Sequence, residues 1–237
     1  MIKYVIWDFG RVLAYPPTGY WQITPKFLKL VDISKINAEQ LKNAIKKYNN
    51  IISCNLYIKD CEEEYKHMLE FYERVLEDCN ISDYESKAKE IAYNFVYEFD
   101  KYKLYDDVKT ELGELRRDYR LILLSDNWPS VIEYMKKEEI YEYFEMVYVS
   151  SIYGQEKKDG LFFDNPIKDF DIKQGEAIFI DDNEKLLDIA TEKGLDVRLM
   201  DRENKVSESK YKIVSNLSLQ SIISMWFWII NTLNNKE

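Results

Sequence analysis

The chain has 237 residues, enough for one large domain or two modest ones. Its 33 Lys and Arg residues against 43 Asp and Glu residues give a net charge of −10, so the chain lacks the global positive field of nucleic-acid-binding proteins. Hydrophobic residues make up 46% and charged residues 32%, a balance that excludes a disordered protein.

A short apolar run opens the chain at residues 4–7, and Asp8 follows it directly. A continuous apolar run of this length is typical of a strand buried on both faces of a parallel sheet. Because Asp8 arrives too early for the apolar region of a signal peptide, we expect no export.

The next segment, from residue 20 to about residue 103, has a helical pattern throughout. Asn37 and Ser82 each stand three residues before a Gln or Glu, which predicts capping boxes that open two helices. A long charged helix is predicted between them over residues 57–76, and residues 88–99 repeat their apolar positions at three- and four-residue steps. We expect a small helical bundle here.

The cysteines all lie in this helical segment, at Cys54, Cys61 and Cys79. Three is an odd number, which fits free thiols in a reducing compartment. A zinc site would recruit His67, the only histidine, but the spacing matches no compact zinc knuckle. We therefore expect unpaired thiols and a cytoplasmic location.

Short apolar runs and helical patterns alternate in the rest of the chain. The runs lie at residues 121–124, 146–149 and 177–180. The helical patterns lie at residues 106–117, 129–144 and 184–193. This alternation predicts βαβ units in an α/β fold, a three-layer Rossmann-like core with a parallel sheet.

The helical bundle interrupts this alternation directly after the first strand, so it is an insertion rather than a separate N-terminal domain. We predict a core formed by residues 1–14 and 104–237 and an all-helical cap formed by residues 15–103, hereafter the helical cap.

The most apolar run near the C-terminus, residues 222–230, is shorter than the 18 or so residues that span a membrane. We expect a C-terminal helix docked on the core and no membrane span. The alternative is a dimer or membrane-surface contact through Trp226, Phe227 and Trp228. Both monomer and homodimer stay open.

Polar side chains follow the predicted strands at the edge where parallel sheets bind ligands. Three of them are carboxylates, Asp8, Asp181 and Asp182, which repel one another unless a cation lies among them. Oxygen ligands favour Mg²⁺ over zinc. The sequence therefore predicts a magnesium site at this edge.

The same edge offers donors for an anion. Ser125 and Asn127 supply neutral donors, and Lys157 supplies a positive charge. Together with the carboxylates and Mg²⁺ they make a site for a phosphoryl group whose phosphorus a carboxylate attacks.

Four segments carry a resemblance to a known family. In chain order they are residues 8–13 (Asp-Phe-Gly-Arg-Val-Leu), 124–127 (Leu-Ser-Asp-Asn), 154–159 (Gly-Gln-Glu-Lys-Lys-Asp) and 180–183 (Ile-Asp-Asp-Asn). In order and spacing they resemble the four motifs of the haloacid dehalogenase (HAD) superfamily of hydrolases. The resemblance covers nearly the whole chain, because this HAD-like pattern also places a helical cap after the first motif.

The resemblance implies a role for each matching residue at the metal. Asp8 would be the nucleophile that forms an aspartyl-phosphate and also a Mg²⁺ ligand. The backbone carbonyl of Gly10 would be a second ligand. Asp181 and Asp182 would hold the metal directly or through water, and which does which stays open.

For the substrate, the resemblance implies that Ser125 hydrogen-bonds the phosphoryl oxygens, supported by backbone groups at Asp126 and Asn127. Lys157 would neutralise the phosphate and orient Asp8. Lys158 stands where the family usually has Pro, and its added charge near the phosphate makes it a further candidate for substrate binding.

Gly10 is the other departure, because phosphatases of this family usually have an Asp there as general acid and base. General acid–base catalysis contributes about 10²–10⁴ in rate. The absence of this Asp suggests a slow enzyme or a substrate whose leaving oxygen needs little protonation, such as an anomeric phosphate. Tyr15 or Tyr20 could also replace the acid.

Simpler explanations exist for single residues. Asp8, Asp181 or Asp182 could cap a helix, Ser125 could be a turn residue, and Lys157 could lie in a solvated loop. In chain order, however, the four segments agree with one another.

The sequence thus predicts a Mg²⁺-dependent phosphatase of a small phosphorylated metabolite, a sugar phosphate being one candidate. A 2-haloacid dehalogenase, in which Asp8 attacks carbon, is the first alternative, although a metal-free site has little reason to crowd carboxylates. The second is a weakened member that binds a phosphorylated ligand or a protein without turnover.

Overall fold

A computed structural model of the chain describes residues 1–53 and 56–223. The strands are β1 (Tyr4–Trp7), β2 (Ala14–Tyr15), β3 (Lys103–Leu104), β4 (Arg120–Ser125), β5 (Met146–Val149), β6 (Ala177–Asp181), β7 (Asp196–Met200) and β8 (Ile213–Val214). Within these residues, six strands form one parallel sheet in the order β5, β4, β1, β6, β7, β8. The predicted parallel sheet is confirmed.

Strand β1 lies at the centre of the sheet, between β4 and β6, and all four of its residues are buried. Val5 and Trp7 belong to one hydrophobic cluster, whereas Tyr4 and Ile6 belong to another on the opposite face. A strand alternates its side chains between two faces, so the two clusters show a sheet covered on both sides. The predicted three-layer core is confirmed.

Helices cover the sheet and form the cap. They are α1 (Pro25–Leu30), α2 (Ala38–Tyr48), α3 (Cys61–Asp78), α4 (Tyr84–Tyr93), α5 (Val108–Leu115), α6 (Ser130–Lys137), α7 (Ser150–Tyr153), α8 (Leu161–Asp169), α9 (Glu184–Glu192) and α10 (Leu219–Ile223). Helix α4 continues into a π-helical turn, Asn94–Glu98.

The helical cap has its own hydrophobic cluster, formed mainly by the buried faces of α3 and α4 with Trp128 of the core packed against it. The chain enters and leaves the cap through β2 and β3, which pair antiparallel with Ala14 opposite Leu104. The insertion of a helical cap after the first strand is confirmed, and both predicted boundaries fall inside this strand pair.

Several predicted helices have different ends. The helix predicted over residues 57–76 begins at Cys61, because Asp60 caps it by accepting hydrogen bonds from two backbone N–H groups. The helix predicted over residues 129–144 ends at Lys137, and a 3₁₀ turn covers Tyr141–Tyr143. Glu139 has a left-handed backbone (φ 59°) that breaks the helix between them.

The two predicted capping boxes have different outcomes. The side chain of Asn37 accepts hydrogen bonds from the N–H groups of Glu39 and Gln40, so this cap is confirmed. The prediction at Ser82 is wrong, because Asp83 occupies the cap position of α4 in a left-handed conformation without a side-chain hydrogen bond.

Cys61 and Cys79 are free thiols, as predicted, and Cys54 lies outside the described residues. The predicted contact through Trp226, Phe227 and Trp228 also lies outside them. In the part of the chain that the structure describes, no helix is long and apolar enough to cross a membrane.

Candidate active site

A cavity of about 320 Å³ lies at the carboxyl ends of β1, β4 and β6, where the sheet order reverses direction around β1. Its walls come from the core and from the cap. They consist of Asp8, Gly10, Arg11, Trp21, Tyr102, Asp126, Asn127, Trp128, Lys157, Asp181, Asp182, Asn183 and Leu186. Most of the predicted site residues therefore meet in one place.

Lys157 forms ion pairs with two of the predicted carboxylates. Its Nζ lies 2.7 Å from Oδ1 of Asp8 and 2.6 Å from Oδ2 of Asp181, and the side chain is only 2% exposed. Burial alone would lower the pKa of Lys157, but the charges of Asp181 and Asp8 hold it above its ordinary value. The lysine is therefore a fixed positive charge between two strand ends.

Asp8, Asp181 and Asp182 each offer a carboxylate oxygen, and these oxygens lie within 4.8 Å of one another. Burial raises the pKa of Asp181 to about 7, although Lys157 opposes the shift. Burial and the charge of Asp8 raise the pKa of Asp182 to about 6. The single positive charge of Lys157 does not neutralise the negative charges of three carboxylates. A donor set made only of oxygens fits Mg²⁺.

The loop after β4 carries the predicted phosphate donors, which differ in their contact with the cavity and in their hydrogen bonds. Ser125 Oγ is buried and has no hydrogen-bond partner among the described residues. Ser125 is not part of the cavity wall, whereas its neighbours Asp126 and Asn127 are. The backbone N–H of Asn127 already donates to Ser150 Oγ at 3.0 Å, so it is not available to a ligand in this arrangement.

Asp126 supports the loop that carries Lys157. Its Oδ1 accepts a hydrogen bond from the backbone N–H of Lys157 at 3.0 Å. Burial raises the pKa of Asp126, against the charge of Lys157. Asp126 therefore ties the second motif to the third.

Lys158 does not reach the cavity. Its ammonium pairs with the carboxylate of Glu156, and its side chain is 63% exposed. Tyr15 and Tyr20, the candidates for the missing general acid, do not line the cavity either. Tyr15 packs on Tyr105, and Tyr20 is exposed beside a separate apolar cavity of the cap.

Three aromatic residues line the cavity: Trp21, Tyr102 and Trp128. None of the three belongs to one of the four sequence motifs. Tyr102 donates a hydrogen bond to Asn127 Oδ1 at 2.6 Å. The chain has 19 tyrosines, and no local sequence pattern distinguishes Tyr102 from the other 18.

Arg11 is another wall residue without a predicted role. It has a left-handed backbone (φ 57°), which is uncommon for a residue other than Gly, Asn or Asp. Its position directly after Gly10 in the first motif is the signal that could have placed it here.

Comparisons with known proteins identify the family and the fold of the chain. A family model described as haloacid dehalogenase-like hydrolase matches residues 5–200. No curated protein matches the sequence.

Solved structures share the fold at low sequence identity. A 2-haloacid dehalogenase from Pseudomonas syringae pv. Tomato DC3000 is 15% identical, with a TM-score of 0.65 and 100% of each chain covered. The HAD-hydrolase YfnB from Bacillus subtilis, bound to magnesium, is 13% identical, with a TM-score of 0.63 over 91% of this chain and 95% of that one. A magnesium complex of a HAD family enzyme from Bacteroides thetaiotaomicron is 20% identical, with a TM-score of 0.61 over 87% of this chain and 96% of that one.

At these identities the solved structures show the fold alone. The family model shows the family as well, since it matches most of the sequence and spans the strand ends that form the cavity. The chain belongs to the family of haloacid dehalogenase-like hydrolases.

Proposed function

We propose that this hydrolase is a Mg²⁺-dependent phosphatase of a small phosphorylated metabolite, with Asp8 as its nucleophile. The observation that carries the proposal is the group of three carboxylates, Asp8, Asp181 and Asp182, gathered within 4.8 Å around the charge of Lys157. We assign the chemistry to the core (residues 1–14 and 104–237) and the selection of substrates to the helical cap (residues 15–103).

The reaction has two displacements at phosphorus. An oxygen of Asp8 attacks the phosphorus, the bond to the leaving oxygen breaks, and that oxygen takes the electron pair and then a proton from solvent water. Water then attacks the phosphorus of the aspartyl-phosphate, which releases inorganic phosphate and restores the carboxylate. Lys157 Nζ, 2.7 Å from Oδ1 of Asp8, orients the nucleophile.

The metal ligands would be Asp8, the carbonyl of Gly10, and Asp181 and Asp182. When bound there, Mg²⁺ supplies charge neutralisation for the phosphoryl oxygens. Ser125 supports the proposal because its buried hydroxyl has no partner among the described residues, so it is available to donate to a phosphoryl oxygen. Leaving such a group unpaired is otherwise unfavourable.

Gly10 favours a substrate whose leaving oxygen needs little protonation, and an anomeric sugar phosphate is the candidate. The aromatic walls formed by Trp21, Tyr102 and Trp128 are suited to the apolar face of a sugar ring. A small metabolite also fits the cavity volume of about 320 Å³. We expect a cytoplasmic enzyme, in keeping with the free thiols of Cys61 and Cys79.

A 2-haloacid dehalogenase is the second candidate, because the fold of this chain is similar to that of the dehalogenase from Pseudomonas syringae. In that reaction Asp8 attacks carbon and halide departs, which requires no metal. Asp182 favours the phosphatase, because a third carboxylate beside Asp8 would only repel a carboxylate substrate.

The test is a panel of anomeric, alkyl and aryl phosphates beside 2-chloropropionate, each assayed with Mg²⁺ and with EDTA. The proposal predicts phosphate release that needs Mg²⁺ and no chloride release. Chloride release that is unaffected by EDTA would replace the phosphatase with the dehalogenase. Binding of inorganic phosphate without turnover of any ester would instead indicate a weakened member that only binds.

A further inference from the structure

A buried ion pair within the helical cap contacts the core at Ser130. Glu64 lies on α3 of the cap, Lys101 on the segment that returns from the cap, and Ser130 at the start of α6. Lys101 Nζ lies 3.0 Å from Glu64 Oε1 and donates to Ser130 Oγ at 2.7 Å. The two charged side chains are both 0% exposed.

The surroundings of this ion pair are aromatic rather than aqueous. Lys101 Nζ lies 3.8 Å from the ring centre of Phe95 and 5.3 Å from that of Trp128. Removing two charges from water is expensive, and their attraction offsets this cost only with good geometry and further hydrogen bonds. A buried pair of this kind is therefore weak evidence for a role in stability alone.

Glu64 uses its second oxygen on the core. Its Oε2 accepts the backbone N–H of Ser130 at 2.7 Å, and its Oε1 accepts Ser130 Oγ–H at 2.6 Å. The N–H groups at the start of a helix have no partner within the helix, so the carboxylate satisfies one of them and fixes where α6 begins. Helix α6 begins where the loop after β4 ends.

Tyr102, the residue after Lys101, contacts the loop after β4 closer to its start. Tyr102 donates to Asn127 Oδ1 at 2.6 Å, and both residues line the cavity. Trp128 adds a bond from its Nε1 to the carbonyl of Ile52, at 3.1 Å. The cap thus contacts the loop at positions 127, 128 and 130 through specific hydrogen bonds.

We propose that Glu64 is a positioning residue, which acts through Ser130 to set the loop of residues 125–130 and with it the affinity for the phosphoryl group, while Lys101 balances its buried charge. The inference rests on the proposed function, because that loop carries Ser125. The cap then has a second role, since it covers the cavity and also holds the phosphate-binding loop in place.

Single substitutions would leave one buried charge unpaired and unfold the protein, so the test uses two double variants. Glu64→Gln with Lys101→Met removes both charges and keeps an acceptor for the N–H of Ser130. Glu64→Leu with Lys101→Met also removes both charges but has no acceptor. The two proteins differ only in whether residue 64 can hold α6.

Three quantities are compared below the melting temperature of both variants: the Kd of inorganic phosphate, KM and kcat for phosphate esters, and hydrogen exchange of the peptide covering residues 125–131. The Leu variant should bind phosphate roughly tenfold more weakly than the Gln variant. Its KM should rise by the same factor for every ester, whatever the leaving group, and its loop amides should exchange faster. The Gln variant should stay close to wild type in all three.

Equal phosphate affinity in the two variants would overturn the inference, whether or not hydrogen exchange differs, since the ion pair would then be structural only. If the wild type binds no inorganic phosphate, the proposed function fails separately. In that case hydrogen exchange alone decides whether the cap holds the loop, and equal exchange rates would overturn that as well.

Discussion

The ring of Trp21 lies against the bare α-carbon of Gly10: a Cβ built on Gly10 would come within 3.3 Å of Trp21 Cζ2. Trp21 in turn packs edge-on against Tyr102, with ring centres 5.8 Å apart. A ring from the cap therefore crowds the position, and a side chain at residue 10 would require Trp21 to shift by a few tenths of an ångström. The chain lacks an acid at this position, and the space for one is tight.

This contact predicts how an acid can be restored. Gly10→Asp alone should destabilise the protein and leave its rate unimproved, because the new side chain presses on Trp21. Gly10→Asp with Trp21→Ala should hydrolyse alkyl phosphates faster than Trp21→Ala alone, by up to about 10². Aryl phosphates, whose leaving groups need little protonation, should gain much less.

Gly10→Asn with Trp21→Ala is the matched control, since Asn has the shape of Asp without its proton. The kcat/KM of alkyl and aryl phosphates is measured for all four variants. An equal gain in the Asn variant would show that room, not acid catalysis, limits the rate.

Ser125→Ala should lower phosphate affinity without lowering stability. Its hydroxyl is buried and without a partner, so removing it breaks no hydrogen bond among the described residues. A hydrogen bond to a charged group contributes about 1.5–3 kcal/mol, so KM and the Kd of inorganic phosphate should rise about tenfold or more.

Ser151→Ala provides the control within the same chain. Ser151 Oγ is also buried and without a partner among the described residues, but Ser151, unlike Ser125, belongs to none of the four motifs. Its KM should match wild type. Equal losses in the two variants would indicate a general disturbance of the sheet edge and remove Ser125 from the site.

The metal-free protein should lose stability as the pH rises through neutrality. The pKa of Asp181 is raised from 3.8 to about 7 and that of Asp182 to about 6, so the folded state holds more protons than the unfolded state between these values. Stability then falls with rising pH, the opposite of the usual behaviour of a paired Asp.

Urea unfolding in EDTA at several pH values between about 5.5 and 7.5 measures this slope. Asp182→Asn should make it shallower, and only moderately so, because Asp182 keeps contact with water, which screens part of the effect of its partial burial. A stability that is flat or rises over this range would contradict the assigned pKa directions.

Mg²⁺ should stabilise the folded protein in proportion to its binding. At a concentration about 100 times its Kd, a ligand that binds only the folded state raises the free energy of unfolding by about 2.7 kcal/mol. The increase should be strongest at neutral pH and should shrink in Asp182→Asn. Melting temperatures with Mg²⁺ and with EDTA measure it, and an equal increase in Lys158→Gln is the expected control, because Lys158 pairs with Glu156 away from the cavity.

The sequence predicts the parts of this molecule that depend on local patterns. Buried parallel strands need continuous apolar runs, and the polar residues that end β1, β4 and β6 necessarily meet at one edge of the sheet. Asp8 and Asp181 could therefore be placed together although they are far apart in the chain. The very short strands β2 and β3 carry no such run and were not predicted.

Contacts between the cap and the core could not be predicted in this way. Glu64 and Ser130 are 66 residues apart, and each looks like an ordinary polar residue of a helix. Lys101 looks like a surface lysine, yet its side chain is fully buried. Only the packing of the cap on the loop after β4 shows that these three residues share one site.

The central claim is that Asp8 attacks phosphorus, and the mass of the chain after rapid quenching tests it most directly. Wild type, mixed with Mg²⁺ and a substrate that it hydrolyses, should gain the mass of one phosphoryl group on the peptide that contains Asp8. Asp8→Asn should fold with a melting temperature close to wild type, gain no such mass, and release no phosphate. Phosphate release that persists in Asp8→Asn would contradict the account, because the nucleophile would then lie elsewhere.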